Sequence, residues 1–203
     1  MRWQAAGTVI RVHRIPFSTN VERVALAAGH KGLNVEWVDH DPADRTAIRE
    51  LSGQELVPVA EIDREVLFDS PRIVDRLEEL VPEPPLYPSA AAERATVRVF
   101  VEWFNEVWKR PPNELAAGAD DPTMGARLTG WLGLFEDLLD GRDYLFGDFG
   151  VADVMAFPFL KYATLAADPT DTDRFHAVLR DHLRPCPPRT TAWIERVDGH
   201  PRA

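Results

Sequence analysis

The stretch Leu56-Val57-Pro58-Val59-Ala60-Glu61-Ile62, with Asp69-Ser70-Pro71-Arg72-Ile73 just beyond it, decides how the chain folds. Residues 57–62 read as a strand, and Pro58 falls near its start, where a missing ladder donor does least harm. Asp63-Arg64 turns the chain, and Glu65-Val66-Leu67-Phe68 returns as a second strand. Asp69 and Ser70 then stand where a helix begins. Pro71 suits the first helical position, which makes Ser70 the expected N-cap. Ile73, Val74, Leu77, Leu80 and Val81 recur on one face of that helix. A hydroxyl at the positive end of a helix is suited to a carboxylate ligand.

Upstream, residues 8–13 have strand composition, and Pro16 stops further ladder pairing. Val21, Val24, Ala25 and Ala28 follow at helical spacing until Lys31-Gly32, and Val35-Glu36-Trp37-Val38-Asp39 alternates as another strand. A short helix is expected around 44–51. The first two strands form a βαβ unit and the last two an antiparallel pair. Pro82-Glu83-Pro84-Pro85-Leu86-Tyr87-Pro88 is a stiff connector, so the expected domains are 1–82 and 89–203, joined by 83–88, with a ligand cleft between them. Beyond it the pattern is helical throughout. Val97, Phe100, Val101, Phe104, Val107 and Trp108 mark a helix that Pro111-Pro112 is expected to stop. Leu128, Trp131, Leu132, Phe135, Leu138 and Leu139 mark another, ending near Gly141. A third spans about 151–167 with Pro158 kinking it, and weaker helices follow at 173–183 and 190–197.

Composition narrows the function. The 203 residues can bury a sizeable core, and a formal charge of -10 argues against nonspecific nucleic-acid binding or an anionic membrane surface. No apolar run approaches a membrane span, and residues 1–7 lack a signal-peptide core. A single cysteine, Cys186, excludes an internal disulfide. The expected location is cytoplasmic. The histidines show no metal spacing, so no metal is expected.

The Val57-Pro58 and Asp69-Ser70 pairs, in this order and spacing, resemble the glutathione transferase superfamily in its serine-type, bacterial-like form. The resemblance implies a thioredoxin-like α/β N-terminal domain followed by an all-α C-terminal domain. It also implies a cis Val57-Pro58 bond presenting backbone to the thiol ligand, with Asp69 and Ser70 holding the γ-glutamyl end. Leu145-Phe146-Gly147-Asp148-Phe149-Gly150-Val151-Ala152-Asp153 looks like the segment opening the family's central helix, and Ala192-Trp193-Ile194-Glu195-Arg196-Val197 like its closing helix. Gly150 stands where the family has Ser or Thr, so half of the reciprocal cap is missing and Asp153 must find other donors. Glutathione as co-substrate, an electrophilic small molecule as acceptor and a homodimer are implied in the same way.

Such enzymes work by stabilising a thiolate, because a free thiol with pKa near 8.5 is only a few per cent ionised at pH 7. A hydroxyl and a helix N-terminus aimed at the sulfur favour the ionised form. Tyrosine and cysteine are absent before Tyr87, and Ser18 lies in the right loop, five residues before Arg23-Val24. Ser18 also suits the N-cap of the following helix, a compatible role. Thr19 and Asn20 are rival donors. Leu56, preceded by Gln54 and Glu55, replaces the basic or amide residue that relatives place near the glycyl carboxylate; Arg45 or Arg14 could offset Glu55, and another cellular thiol could replace glutathione. Trp103, Phe104 and Trp108 lie on the helix that lines the acceptor pocket in relatives, although aromatics at helical spacing more often form core. The alternatives to a conjugating transferase are a thiol-dependent isomerase or dehalogenase using the same site, and a noncatalytic protein binding ligands or another protein.

Overall fold

The computed structural model describes residues 9–203. The expected strand start at Thr8 and the reading of residues 1–7 lie outside them. The chain divides into two compact units, one made of Met1–Leu86 with His200–Ala203 and the other of Tyr87–Gly199.

The first unit runs β1 (Ile10–Arg14), α1 (Thr19–His30), β2 (Glu36–Asp39), α2 (Thr46–Ser52), β3 (Val59–Ile62), β4 (Glu65–Phe68) and α3 (Ser70–Leu80). The sheet order is β2-β1-β3-β4, with β1 parallel to β2 and antiparallel to β3, and β3 antiparallel to β4. This is the expected thioredoxin-like arrangement. Ile10 and Val12 alternate with Arg11 and His13, so the two pairs occupy opposite faces of the sheet. Ile48 of α2 packs with Val21, Val57 and Val59 in one buried cluster, edged by Ile15, Trp37 and Leu51. On α3, Ile73, Val74 and Leu77 are fully buried, as their spacing requires.

The division falls after Leu86 because the connector is fastened to the first unit. The buried Lys31 ammonium pairs with Glu78 and donates to the carbonyls of Pro82 and Pro84. Glu78 in turn accepts from the Leu86 N–H at 3.1 Å. Residues 200–203 join the same unit by lying along α1. The Ala203 N–H donates to the Ala25 carbonyl at 3.1 Å, Trp37 Nε1 donates to the Ala203 carbonyl at 3.1 Å, and Arg202 pairs with Glu22 at 3.1 Å.

Gly29 permits this contact, since a Cβ there would lie 2.1 Å from the Pro201 carbonyl oxygen. Gly29→Ala is therefore expected to lift the tail off α1 and cost about 1–3 kcal/mol, despite the better helix propensity of alanine. Gly130, on a helix of the second unit with nothing within 4 Å of its Cβ position, is the control. Gly130→Ala should stabilise by about 0.5–1 kcal/mol. Urea unfolding of both variants would measure the contrast, and equal shifts would refute it.

The second unit holds α4 (Ala91–Trp103), a π-helical turn (Phe104–Trp108), α5 (Arg110–Ala116), α6 (Pro122–Leu138), α7 (Val151–Leu160), a 3-10 turn (Lys161–Ala163), α8 (Arg174–His182) and α9 (Pro188–Asp198). Pro111 and Pro112 do not end the helical course as expected. They occupy the first turn of α5, where no intrahelical N–H is needed, after the π turn has closed with Lys109 N–H to Phe104 carbonyl at 3.1 Å. The π turn also rotates the apolar stripe by one residue: Val107, expected inside, is 45% exposed, while Trp108 is wholly buried. The expected 151–167 helix is shorter, ending at Leu160 and tightening into the 3-10 turn; Pro158 stays inside it.

Asp153 finds its donors. Its carboxylate is buried and accepts from the N–H groups of Gly150 at 3.0 Å and Leu145 at 3.1 Å and from Trp193 Nε1 at 2.7 Å. One side chain thus closes the loop before α7, caps α7 and anchors α9. The uncapped Pro187 end of α9 is served by Glu136 of α6, which accepts from the Arg189 and Thr190 N–H groups.

Candidate thiol site

Ser18 is the N-cap of α1, and its Oγ accepts from the Val21 N–H at 3.3 Å. Capping uses a lone pair of that oxygen and leaves the hydroxyl proton able to donate elsewhere. Phe17, immediately before it, has φ 61, a left-handed conformation that costs a non-glycine residue about 1–3 kcal/mol. Thr19 is buried in the first turn.

Asn20 lies one turn from Arg23, an i, i+3 pair on α1. Its Oδ1 accepts from Arg23 Nη1 at 3.2 Å and from Ser70 Oγ at 3.4 Å. Arg23 Nη1 also donates to Ser70 Oγ at 3.2 Å. Ser70 is 2% exposed, and its hydroxyl binds α1 and α3 together at their N-terminal ends. Burial pulls the Arg23 guanidinium down to about 9, with the negative charge of Asp69 opposing that shift, so it remains a cation at neutral pH.

The N-cap of α3 is Asp69, not Ser70 as the sequence suggested. Ser70 is the first helical residue, and Asp69 has φ 73 with no side-chain cap. The shift by one residue follows from Pro71, which is accepted anywhere in the first turn and does not fix the cap uniquely. The exposed Asp69 carboxylate and the buried Ser70 hydroxyl consequently sit in different environments.

The Val57-Pro58 bond is cis, and both residues are buried. The chain before it is tied down by Gln54. Its amide accepts from the Leu56 N–H, and Nε2 donates to the Leu56 carbonyl at 2.8 Å and to Ser52 Oγ at 3.0 Å. Glu55 pairs with Arg49 of α2, and Leu56 is 76% exposed. The two arginines weighed as partners for Glu55 are used otherwise: Arg14 binds Asp39 at 2.7 Å, and Arg45 donates to the Pro42 carbonyl at 2.9 Å. Arg49 was missed as part of this region; Arg23 entered the sequence reading only through the Ser18 to Arg23-Val24 spacing and Gln54 only as a residue before Leu56, and the contacts of neither were foreseen.

In the second unit, Phe104 and Trp108 are fully buried and stack at 4.5 Å. Trp103 is half-buried and meets Trp131 edge-on at 5.6 Å. Trp131 lines a cavity of about 340 Å³ with Val107, Arg110, Pro111, Met124 and Arg127. Among the described residues no group of three or more His, Cys, Asp or Glu is arranged to hold a metal, and no helix is long and apolar enough to cross a membrane.

Residues 12–85 match the family described as glutathione S-transferase, N-terminal domain. No functionally curated protein matches the sequence. Among solved structures, a glutathione S-transferase from Rhodospirillum rubrum F11 is 27% identical, with 95% of this chain and 89% of that chain covered and a TM-score of 0.72. Rice GST1 (OsGSTU1), solved in complex with glutathione, shares the fold at 20% identity and a TM-score of 0.78, covering 96% of this chain and 88% of that chain. A GST-like protein from Pseudomonas syringae does so at 21% identity and a TM-score of 0.75, covering 96% and 68%. Residues 12–85 thus carry the N-terminal domain of the glutathione S-transferase family, and the thioredoxin-like sheet with its helical second unit is the fold of the glutathione transferase superfamily.

Proposed function

We propose that the protein is a serine-type transferase that joins glutathione, or another low-molecular-weight thiol, to an electrophilic small molecule. The observation that carries this reading is the Asn20–Arg23–Ser70 network, which brings the positive N-terminal ends of α1 and α3 together. Paired helix ends favour anions, here a carboxylate and a thiolate. Val57 offers backbone to the thiol ligand, Pro58 holds that backbone in place, and Asp69 and Ser70 take the amino-acid end. Ser18 donates its hydroxyl proton to the sulfur, with Asn20 and Thr19 as rival donors. The thiolate then attacks the acceptor: the S–C bond forms as the bond to the leaving group breaks, and proximity supplies much of the rate. Of the three aromatic residues assigned to the acceptor, Trp103 alone keeps part of its surface exposed. A cytoplasmic homodimer acting in detoxification completes the reading.

Ser18→Ala is expected to raise the pKa of the bound thiol and lower turnover roughly ten- to a hundredfold, the worth of a charge-assisted hydrogen bond of about 1.5–3 kcal/mol. Loss of the cap alone would cost about 1 kcal/mol of stability and leave that pKa unchanged. Thiolate absorbance against pH, with glutathione bound to wild type, Ser18→Ala and Asn20→Ala, separates the donors. Unchanged turnover in Ser18→Ala with loss in Asn20→Ala would move the role to Asn20.

A second reading has its own support. The exposed Leu56 and the Arg49–Glu55 pair offer no unpaired cation beside the cis bond for a second carboxylate. That favours a different thiol, or a binding protein without catalysis. Wild-type protein that binds glutathione but turns over no electrophile would select the latter.

A further inference from the structure

The face of the sheet that carries Arg11 and His13 holds a second polar array. Across β2, β1 and β3, Glu36, Arg11 and Glu61 are direct cross-strand neighbours. Arg11 holds Glu36 with two nitrogens, at 3.1 and 3.2 Å, and reaches Glu61 at 3.5 Å. His13, 9% exposed, places Nε2 3.1 Å from Glu61 Oε1 and Nδ1 2.7 Å from Nε2 of His40. The ring centroids are 5.0 Å apart and the planes 26° from parallel, which with so short an N···N distance describes imidazoles joined edge to edge. Glu61, His13 and His40 therefore form one chain of hydrogen bonds.

Such a chain has a fixed proton capacity. A nitrogen pair at 2.7 Å needs one proton between its members. Glu61 accepts from His13 Nε2–H, so in the uncharged pair the remaining proton lies on His40 Nε2, which donates to His13 Nδ1. When His40 takes a proton at Nδ1, its Nε2 proton can pass to His13 Nδ1. The positive charge then rests on His13 beside the Glu61 carboxylate. A second added proton has no such outlet: both facing nitrogens would carry hydrogen, and two cations would adjoin.

We propose that Glu61, His13 and His40 form a proton-binding site of capacity one, and that a second proton unfastens residues 40–56 from the sheet. His40 opens that segment, which carries α2 and ends at Leu56, directly before Val57-Pro58. Its other attachments include the His40 N–H to the Arg14 carbonyl at 2.9 Å, the apolar contacts of Ile48 and Leu51 and the packing of α2 against β4. The charged groups around the pair come from every neighbouring element. Arg11 and Arg14 lie on β1, Glu36 and Asp39 on β2 and Glu61 on β3, with Asp44 and Arg45 in the turn before α2. Arg14 is held by Asp39, and Arg11 by the two glutamates. Burial, His13 and Arg45 lower the pKa of His40, against Asp39 and Asp44. Glu61 is held below the usual carboxylate range by its bond to His13. A His40 pKa below its unfolded value means that the unfolded segment binds more protons. Its attachment accordingly weakens as pH falls through the ordinary imidazole range.

Backbone hydrogen exchange and imidazole nitrogen shifts of the intact protein, followed from pH 7.5 to 4.5, test this. The two rings should titrate as a coupled pair. Exchange within 40–56, corrected for intrinsic rates, should quicken at least tenfold at the acid end while α3 stays unchanged. His40→Gln, whose amide can donate to His13 Nδ1 but gains no proton, should abolish the acid response. Glu61→Gln should move the first ring transition to lower pH. Independent ring titrations, pH-insensitive exchange in 40–56, or an acid response that survives in His40→Gln would each overturn the proposal.

Discussion

Asp153→Ala is expected to lower the stability of the helical unit by about 4 kcal/mol, or roughly 10 °C in midpoint. The size follows from what the carboxylate serves: the N–H groups of Leu145 and Gly150 and the indole of Trp193, all of which lose a buried acceptor together. Asp153→Asn keeps one carbonyl oxygen for Leu145 and Trp193 but turns N–H groups toward Gly150, so about half that cost is expected. The acid dependence carries its own signature. Burial pushes the Asp153 carboxyl up to about 6, against the pull of its N–H donors. Its folded pKa exceeds the unfolded value, so the native state binds the proton more readily. This group therefore adds stability as pH falls from above 6 toward 4, by up to about 3 kcal/mol. Carboxylates held low, such as Glu61 and Asp171, act in the opposite sense. The comparison is accordingly made between wild type and Asp153→Asn, whose stability difference should widen as pH falls. Thermal unfolding at pH 7 and pH 5 measures it, and a constant difference would count against the raised pKa.

Trp108→Ala should cost about 3–5 kcal/mol, whereas Trp108→Phe should be within about 1 kcal/mol of wild type. Trp108 is wholly buried, stacked on Phe104 and edge-on to Phe159. Its Nε1 meets no hydrogen-bond partner among the described residues, so exchanging the indole for a phenyl ring sacrifices no bond. The loss of volume is partly offset by removing a buried donor. The pair of variants also separates two roles. If Trp108 only fills the core, Trp108→Phe leaves acceptor kinetics intact; a changed KM at unchanged stability would return it to the acceptor pocket.

The sheet was legible because its signals were local. Period-two alternation marked β1 and β2, and Asp63, at φ 55, made the turn between β3 and β4. The proline-rich connector was equally plain. The π turn was hidden, because Phe104 and Trp108 keep helical spacing through it and only the exposure of Val107 reveals the change of frame. For the proposed thiol site, the Val57-Pro58 and Asp69-Ser70 motifs were the signals that the sequence offered. The contacts that organise it could not be read: Arg23 meets Ser70 across 47 positions, and Arg49 neutralises Glu55 through a loop of unspecified shape. His13 and His40, 27 positions apart, join because parallel strands place their ends side by side.

The return of residues 200–203 to α1 makes the helical unit, in connectivity, an insertion within the first. The backbone leaves the thioredoxin-like unit after Leu86 and re-enters it at His200, so the two units are joined by two strands of chain rather than one. No single cut releases either unit whole. During synthesis the first unit cannot complete its contacts along α1 until all 113 residues of Tyr87–Gly199 have been made, which departs from the usual N-to-C order of domain completion.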